Sequence, residues 1–508
     1  MTDPRDKRPQ LPPASSGASG SNLFMISAVQ TAALIRTLEI SPVEVVRAYI
    51  ERAREVNGRL NAIVVERFND ALKEARLAEK KALRREPLGA LHGLPCTVKE
   101  GLGFKGLPQT CGSKLRNRSR CNQDATVVAR IRAAGAIVIG LTNQSEMALW
   151  PESDNIVYGR TSNPWHRSRT AGGSSGGEAA IVAACGSSFG LGTDGGGSIR
   201  IPAAYCGVFG HKPSSGLAPL TGHTPLDEMF RQCKGAQGMA KYFAPGPLTR
   251  HAEDLMLVLR VIAGPDGCDL NMESRPRLEP TSSMLNGRRV LVCPEPLLSK
   301  DRTVGASAAQ AVRIAASALE QRGAVVLPWS DPALQHAFKI WAAIVGAVGG
   351  PGIRAMIGQG KFPALAQEIL LRSIGRPNHT FPAVLACLSE RWMPMRSSTM
   401  FEYYSLGMDL RSRLNETLGT DGVLLLPPVS RAAPLHGHTI LRPFDIGLCA
   451  LFNALEMPTT VAPVGMDEKG MPLSVQIVGP HGADHLTLSV ALELECALGG
   501  WRMPPTTA

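Results

Sequence analysis

Residues 171–200 read AGGSSGGEAAIVAACGSSFGLGTDGGGSIR, a stretch dominated by Gly and Ser yet framed by apolar sequence, which a flexible linker would not be. Three chemistries compete for it. Gly172-Gly173-Ser174-Ser175-Gly176 fits G-x-S-x-G, the turn that exposes a serine nucleophile and needs an acid and a histidine later in the chain. His211, His223, His251, His436 and His438 are all available, and nothing in their settings selects one. Gly190-Leu191-Gly192-Thr193-Asp194-Gly195 fits the dinucleotide fingerprint G-x-G-x-x-G. That reading needs a following helix and an acidic residue about 20 positions on. The chain continues instead as Gly196-Gly197-Ser198-Ile199-Arg200-Ile201-Pro202, and the next acidic residue is Asp227, so no cofactor is expected.

The third reading uses more of the segment. Gly195, Gly196 and Gly197 leave backbone N–H groups unshielded just before Ser198, as an oxyanion hole beside its own nucleophile requires. A serine needs a base to become reactive. Lys99 ends a short apolar strand, Leu91–Lys99, where burial would favour the neutral amine. By spacing alone a surface lysine at a strand end remains open.

The elements that must position these residues alternate in type. Ser41-Pro42-Val43-Glu44 is a capping box with Pro at the first helical position, followed by Val45, Val46, Tyr49 and Ile50 at helical spacing to about Asn57. Ala28–Leu38 and Asp70–Arg84 are further helices. Ala125–Ala134 (helix) and Ala136–Leu141 (strand) follow the strand ending at Lys99. Then come helices at Glu178–Cys185, Asp254–Ala263, Ala306–Arg322 and Leu486–Leu498, with strands at Arg289–Val292, Ala324–Leu327, Gly422–Leu426 and Leu473–Val478. Such alternation predicts an α/β fold, a mixed or parallel sheet covered by helices. Residues 338–410 differ, reading as helices that carry exposed apolar residues.

Composition excludes several classes. With 44% hydrophobic and 19% charged residues among 508, the chain can bury a large core and is not disordered overall. The net charge of +11 is thinly spread, and its densest run, Lys80, Lys81, Arg84 and Arg85, lacks stacking aromatics, so no nucleic-acid partner is expected. Eleven cysteines show neither C-x-x-C nor zinc spacing, which predicts reduced thiols and no metal. Residues 1–22 are Pro-, Ser- and Gly-rich and read as a flexible tail with no signal or membrane segment.

Three blocks, Gly172–Glu178, Gly192–Ala203 and Gly207–Pro213, resemble in order and spacing the amidase signature family, and Lys99 within Pro95–Glu100 matches that family's lysine. The resemblance extends from the helix at Ser41 to Trp501. It implies one domain, residues 23–508, built on a single large mixed sheet with helices on both sides, with 338–410 a variable helical lid or cap. It also implies a Ser-Ser-Lys triad: Ser198 as nucleophile, Ser174 as relay beside a cis peptide to Gly173, and Lys99 as base and later acid for the leaving amine. The amides of Gly195, Gly196, Gly197 and Ser198 would form the oxyanion hole, with Ser175 and Arg200 supporting the loop. Met147, Ala148, Leu149 and Trp150 are expected in the acyl pocket, with core packing as the alternative.

The implied reaction is cleavage of the C–N bond of small or lipophilic carboxylic amides, extending to esters or carbamates, through an acyl-enzyme. Trp150–Gly159, His211–Gly216 and Asp484–Leu488 resemble the branch that hydrolyses fatty-acid amides. The alternative within the family is the amidase subunit of a tRNA-dependent amidotransferase. A degenerate, non-enzymatic relative is disfavoured because Lys99, Ser174 and Ser198 are all retained. Implied partners are a small-molecule amide, no cofactor, no nucleic acid and no membrane span; contact with a membrane surface and a homodimer are left open, and a cytoplasmic location is expected. Two departures stand out. A polar tail is read where the animal enzymes of that branch carry an amino-terminal membrane segment, which weakens the expectation of a lipid substrate. Gly195 occupies a position where the family usually has Ile or Thr, from which a usable but more flexible oxyanion hole is expected.

Overall fold

The computed structural model describes residues 23–225, 236–272, 278, 285–299, 302–349, 352–358, 365–392 and 396–505. Its centre is an eleven-stranded sheet. In chain order the strands are β1 (Ile63–Glu66), β2 (Pro95–Lys99), β3 (Ile137–Thr142), β4 (Phe189–Asp194), β5 (Phe209–Lys212), β6 (Ala244–Thr249), β7 (Arg289–Val292), β8 (Val325–Pro328), β9 (Val423–Leu426), β10 (Thr459–Met466) and β11 (Pro472–Val478). They lie in the order β1-β3-β2-β4-β6-β5-β10-β11-β9-β7-β8. β2 runs parallel to β3 and β4, and β9 and β8 run parallel to β7, while the middle of the sheet is antiparallel. The expected mixed α/β architecture is the observed one.

Alternating side chains send successive strand residues to opposite faces, and each face is covered. On β3, Val138 and Leu141 join one core with helices Thr126–Ala133, Ala252–Ile262, Ala306–Gln321 and Asp484–Leu498. Ile137 and Ile139 join the other, with helices Pro42–Leu60 and Gly176–Ala183. The capping box at Ser41 forms as expected: Ser41 Oγ accepts from Val43 N–H at 3.0 Å and Glu44 accepts from Ser41 N–H at 3.0 Å. That helix runs to Leu60, past Asn57, and ends where Asn61 turns left-handed at φ 50°.

Strands β1, β4, β5, β6 and β10 are additions to the expected set, and β6 shows why. Its sequence, Ala-Pro-Gly-Pro-Leu-Thr, contains two prolines and a glycine, which argue against a strand in isolation. Tertiary packing demands the glycine, since a β-carbon on Gly246 would lie 2.2 Å from the carbonyl oxygen of His211.

Within 338–410 the regular elements among the described residues are all helices, at Ala337–Ala347, Ile353–Gly358, Leu365–Ser373, Phe381–Trp392 and Ser397–Leu418. No helix among the described residues is long and apolar enough to cross a membrane. The expected tail, residues 1–22, lies outside the described residues.

Candidate active site

Lys99 is the last residue of β2, a strand buried along its whole length, and its ammonium is enclosed. Nζ lies 2.6 Å from Ser174 Oγ and 2.9 Å from Thr193 Oγ1. Burial lowers the lysine from its usual range to about 7, because no solvent remains to stabilise the charged form. Lys212 is lowered to a similar extent, yet its ammonium meets the Pro213 carbonyl at 2.6 Å, so geometry separates the two lysines where titration does not.

Ser174 is reached through a cis peptide bond from Gly173, in a turn that precedes helix Gly176–Ala183. Glycine is required at 173: a β-carbon there would lie 2.6 Å from the Trp150 carbonyl oxygen and 2.7 Å from the Glu152 nitrogen. Ser153 Oγ ties the turn down, donating to the Ser174 carbonyl at 3.0 Å and accepting from Gly176 N–H at 2.8 Å.

Ser198 lies in the loop between β4 and helix Arg200–Cys206, partly exposed where Lys99 and Ser174 are completely buried. The loop is organised by Asp194, whose carboxylate accepts from Gly197 N–H at 2.8 Å and Ile199 N–H at 3.1 Å. Arg200 closes on the same carboxylate at 2.9 and 3.0 Å. The guanidinium also bonds Gln476, the Cys449 carbonyl and Asn453. This buried arginine and the backbone donors hold Asp194 well below the usual carboxylate range. Ser175 braces the loop from the other side: its N–H donates to the Ser198 carbonyl at 3.1 Å, and its hydroxyl meets the Thr193 carbonyl at 3.3 Å.

The glycine run is walled by aromatics from distant elements. Phe243 packs where a side chain on Gly195 would sit, and Trp341 from helix Ala337–Ala347 donates its indole N–H to the Gly195 carbonyl at 3.0 Å. The volume that a side chain at Gly195 would take is filled by the Phe243 ring. A β-carbon on Gly196 would lie 3.5 Å from the Trp341 ring. The Gly197 amide is engaged by Asp194, which leaves it a shaping role.

Met147 to Trp150 pass close to this centre. Met147 and Ala148 both adopt left-handed φ, 52° and 59°, so the chain turns sharply there. Met147 is buried. Leu149 packs on Ile357, Ala383 and Cys387 of the helical segment, while Trp150 donates to Thr439 Oγ1 at 2.8 Å and lays its carbonyl against Gly173. The adjacent Glu146 carboxylate accepts from His379 Nδ1 at 2.8 Å and Thr380 N–H at 2.7 Å, tying that segment to the core.

The histidine alternative is not met at His211. His211 is buried between Asp484 at 3.1 Å and Thr460 at 2.9 Å, and the nearby Ser214 bonds the carboxylate of Asp484 at 2.5 Å. That serine faces the acid of the pair, so the imidazole cannot serve it as a base. Residues at the site that sequence reasoning gave no role are Asp194, Thr193, Phe243, Trp341 and Asn453. Thr193 and Asp194 had a signal, sitting inside the glycine motif, and Asn453 opens Asn453–Pro458, a segment within the family resemblance; Phe243 and Trp341 carried none.

A sheet of this topology around a glycine-rich serine loop is the architecture of an amide hydrolase, and residues 44–488 match the Amidase family model. The chain belongs to the amidase signature family and is an enzyme that hydrolyses amides. It is 37% identical to fatty-acid amide hydrolase 2-B of Danio rerio, over 99% of this chain and 94% of that protein. It is 32% identical to a glutamyl-tRNA(Gln) amidotransferase subunit of Anaeromyxobacter sp. (strain K), over 92% and 95% respectively. Among solved structures, 6-aminohexanoate cyclic dimer hydrolase complexed with substrate superposes with a TM-score of 0.78 at 26% identity, covering 96% of this chain and all of that one.

Proposed function

We propose that the enzyme cleaves small or lipophilic carboxylic amides through an acyl-enzyme on Ser198, with Ser174 as relay and Lys99 as base. The observation that carries this reading is the 2.6 Å contact between Lys99 Nζ and Ser174 Oγ at a lysine held near neutrality by burial. Ser198 attacks the carbonyl carbon, its proton passes to Ser174, and the proton of Ser174 passes to Lys99. The oxyanion is received by the amides of Gly195, Gly196 and Ser198, with Gly197 shaping the loop. Lys99 then returns a proton through Ser174 to the departing amine, and water releases the acid by the same relay. Esters and carbamates pass through the same tetrahedral geometry.

Residues 338–410 act as the cap of the site, a reading supported by Trp341 over the glycine loop and by the Glu146–His379 tie. Met147 and Leu149 line the acyl pocket beneath it. Exposed Ile369, Leu370, Ile374 and Phe381 on the cap support contact with a membrane surface, from which a lipophilic amide would arrive. The relatedness to fatty-acid amide hydrolase 2-B favours a lipophilic acyl chain over the amidotransferase alternative, in which glutamine would be the amide and other protein chains obligatory.

The test is intact mass after a fluorophosphonate, on wild type, Ser198→Ala, Lys99→Ala and His211→Ala. One adduct on wild type and His211→Ala, none on Ser198→Ala and slow labelling of Lys99→Ala are expected. Labelling that survives Ser198→Ala refutes the nucleophile. Glutaminase activity that emerges only with added amidotransferase components would favour the alternative reading.

A further inference from the structure

Thr193 stands between Lys99 and a second basic side chain. Its Oγ1 lies 2.9 Å from Lys99 Nζ and 3.2 Å from His223 Nε2. His223 is buried, in a turn fixed by its own N–H to the Leu220 carbonyl at 2.9 Å and by a bridge to Leu102, just beyond Lys99. Burial and the nearby Lys99 lower the imidazole to about 3, so it is neutral wherever the enzyme works. The ionisable groups that act on Lys99 itself are Cys111, Asp194 and Glu178.

A hydroxyl has one proton to donate, and a neutral lysine amine has one lone pair to offer. To act as a base toward Ser174, that lone pair must face Ser174. Were Thr193 to turn its proton toward Lys99, it would compete for the same lone pair. An acceptor on the far side of Thr193 removes the competition, and His223 Nε2 is placed there. His223 Nδ1 has no hydrogen-bond partner among the described residues, so Thr193 is the polar contact that selects the tautomer.

We propose that His223 is a positioning residue for amide hydrolysis: its Nε2 accepts the Thr193 hydroxyl proton, Thr193 offers a lone pair to a Lys99 N–H, and the Lys99 lone pair is thereby aimed at Ser174. This rests on the assignment of Lys99 as base. His223 touches no reacting atom and acts only by fixing which way one hydroxyl points.

The experiment compares fluorophosphonate labelling rates and kcat and KM for an acyl anilide across the pH range around neutrality. The full-length variants are His223→Leu, which removes the acceptor, His223→Gln, whose amide oxygen can replace it, Thr193→Val, the Thr193→Val/His223→Leu double variant, and Lys99→Ala. His223→Leu should lower kcat and the labelling rate about tenfold with KM little changed, the effect of one misdirected hydrogen bond. His223→Gln should recover most of that loss, and the double variant should label no more slowly than Thr193→Val. In protein labelled with 15N-histidine, the ring signals absent from His223→Gln should show Nδ1 protonated and Nε2 bare.

Wild-type labelling by His223→Leu, no recovery in His223→Gln, or a protonated Nε2 would each overturn the inference. The underlying reading fails separately: if Lys99→Ala labels like wild type, Lys99 is not the base, whatever the His223 variants do.

Discussion

The ring of Phe243 occupies the volume that a side chain at residue 195 would need: a β-carbon on Gly195 would lie 2.0 Å from Phe243 Cε1. The two positions exchange bulk across the wall of the glycine loop. What looks in the sequence like a gap in a motif is filled by the residue just before β6, far along the chain. The loop therefore keeps a defined shape, with the Trp341 indole fixing the Gly195 carbonyl from above.

Gly195→Ile should accordingly be overpacked, losing about 1–3 kcal/mol of stability and most activity. The double variant Gly195→Ile/Phe243→Ala should regain both, since bulk has moved from one side of the contact to the other. Thermal unfolding and kcat/KM of the three variants decide it; a double variant as poor as Gly195→Ile would show that the exchange is not local.

On the proposed assignment of Lys99 as base, activity should follow its protonation. A base must be neutral to accept a proton, and this lysine is lowered to about 7, so kcat/KM should be low in acid, rise through about pH 7 and level off above it. Stability carries the complementary sign. The unfolded lysine keeps its proton up to about 10.4 while the folded one releases it at about 7, so the unfolded state binds more protons between those values. The wild type should therefore gain stability relative to Lys99→Met as pH rises through that window. Parallel urea midpoints of the two proteins at several pH values measure it.

Arg200 and Asp194 are both fully buried, and either one alone would be an unpaired buried charge. Arg200→Met should cost about 3–5 kcal/mol, because it strands the carboxylate that holds the Gly197 and Ile199 amides. Urea denaturation reads the stability loss, and slower Ser198 labelling in the remaining folded fraction reads the distortion of the loop. Unchanged labelling would remove Asp194 from the architecture of the site.

Glu146 is the point where the helical segment proposed as a cap is fastened, at His379 and Thr380, beside the chain turn at Met147. Replacing it by Ala leaves the Thr380 N–H and His379 without their acceptor, a local loss of about 1–3 kcal/mol. If the cap shapes the acyl pocket, Glu146→Ala should raise KM for long-chain amides several-fold more than for short ones, with kcat less affected. Equal effects on both substrates would assign the tie to folding alone.

The sequence by itself determined the parts whose chemistry is local. The capping box at Ser41 announces a helix because its hydrogen bonds span three residues, and the run from Thr193 to Arg200 announces a backbone site because only consecutive glycines bare consecutive amides. Fold class and the amidase signature were legible for that reason. β6 was not, since the prolines and glycine of Ala244–Thr249 make a strand only when flanked by β4 and β5. Tertiary structure alone decided which of two buried lysines faces a serine: Lys99 and Lys212 are lowered similarly by burial, and only the convergence of β2 with the Ser174 turn and the end of β4 gives Lys99 its hydroxyl partners. Phe243 and Trp341 were silent in the sequence, and nothing there selected His223 from the other histidines, for the same physical reason. An aromatic ring or an imidazole acquires its role from what it touches, and all three touch the site from strands, helices and turns that meet it only once the sheet has closed around it.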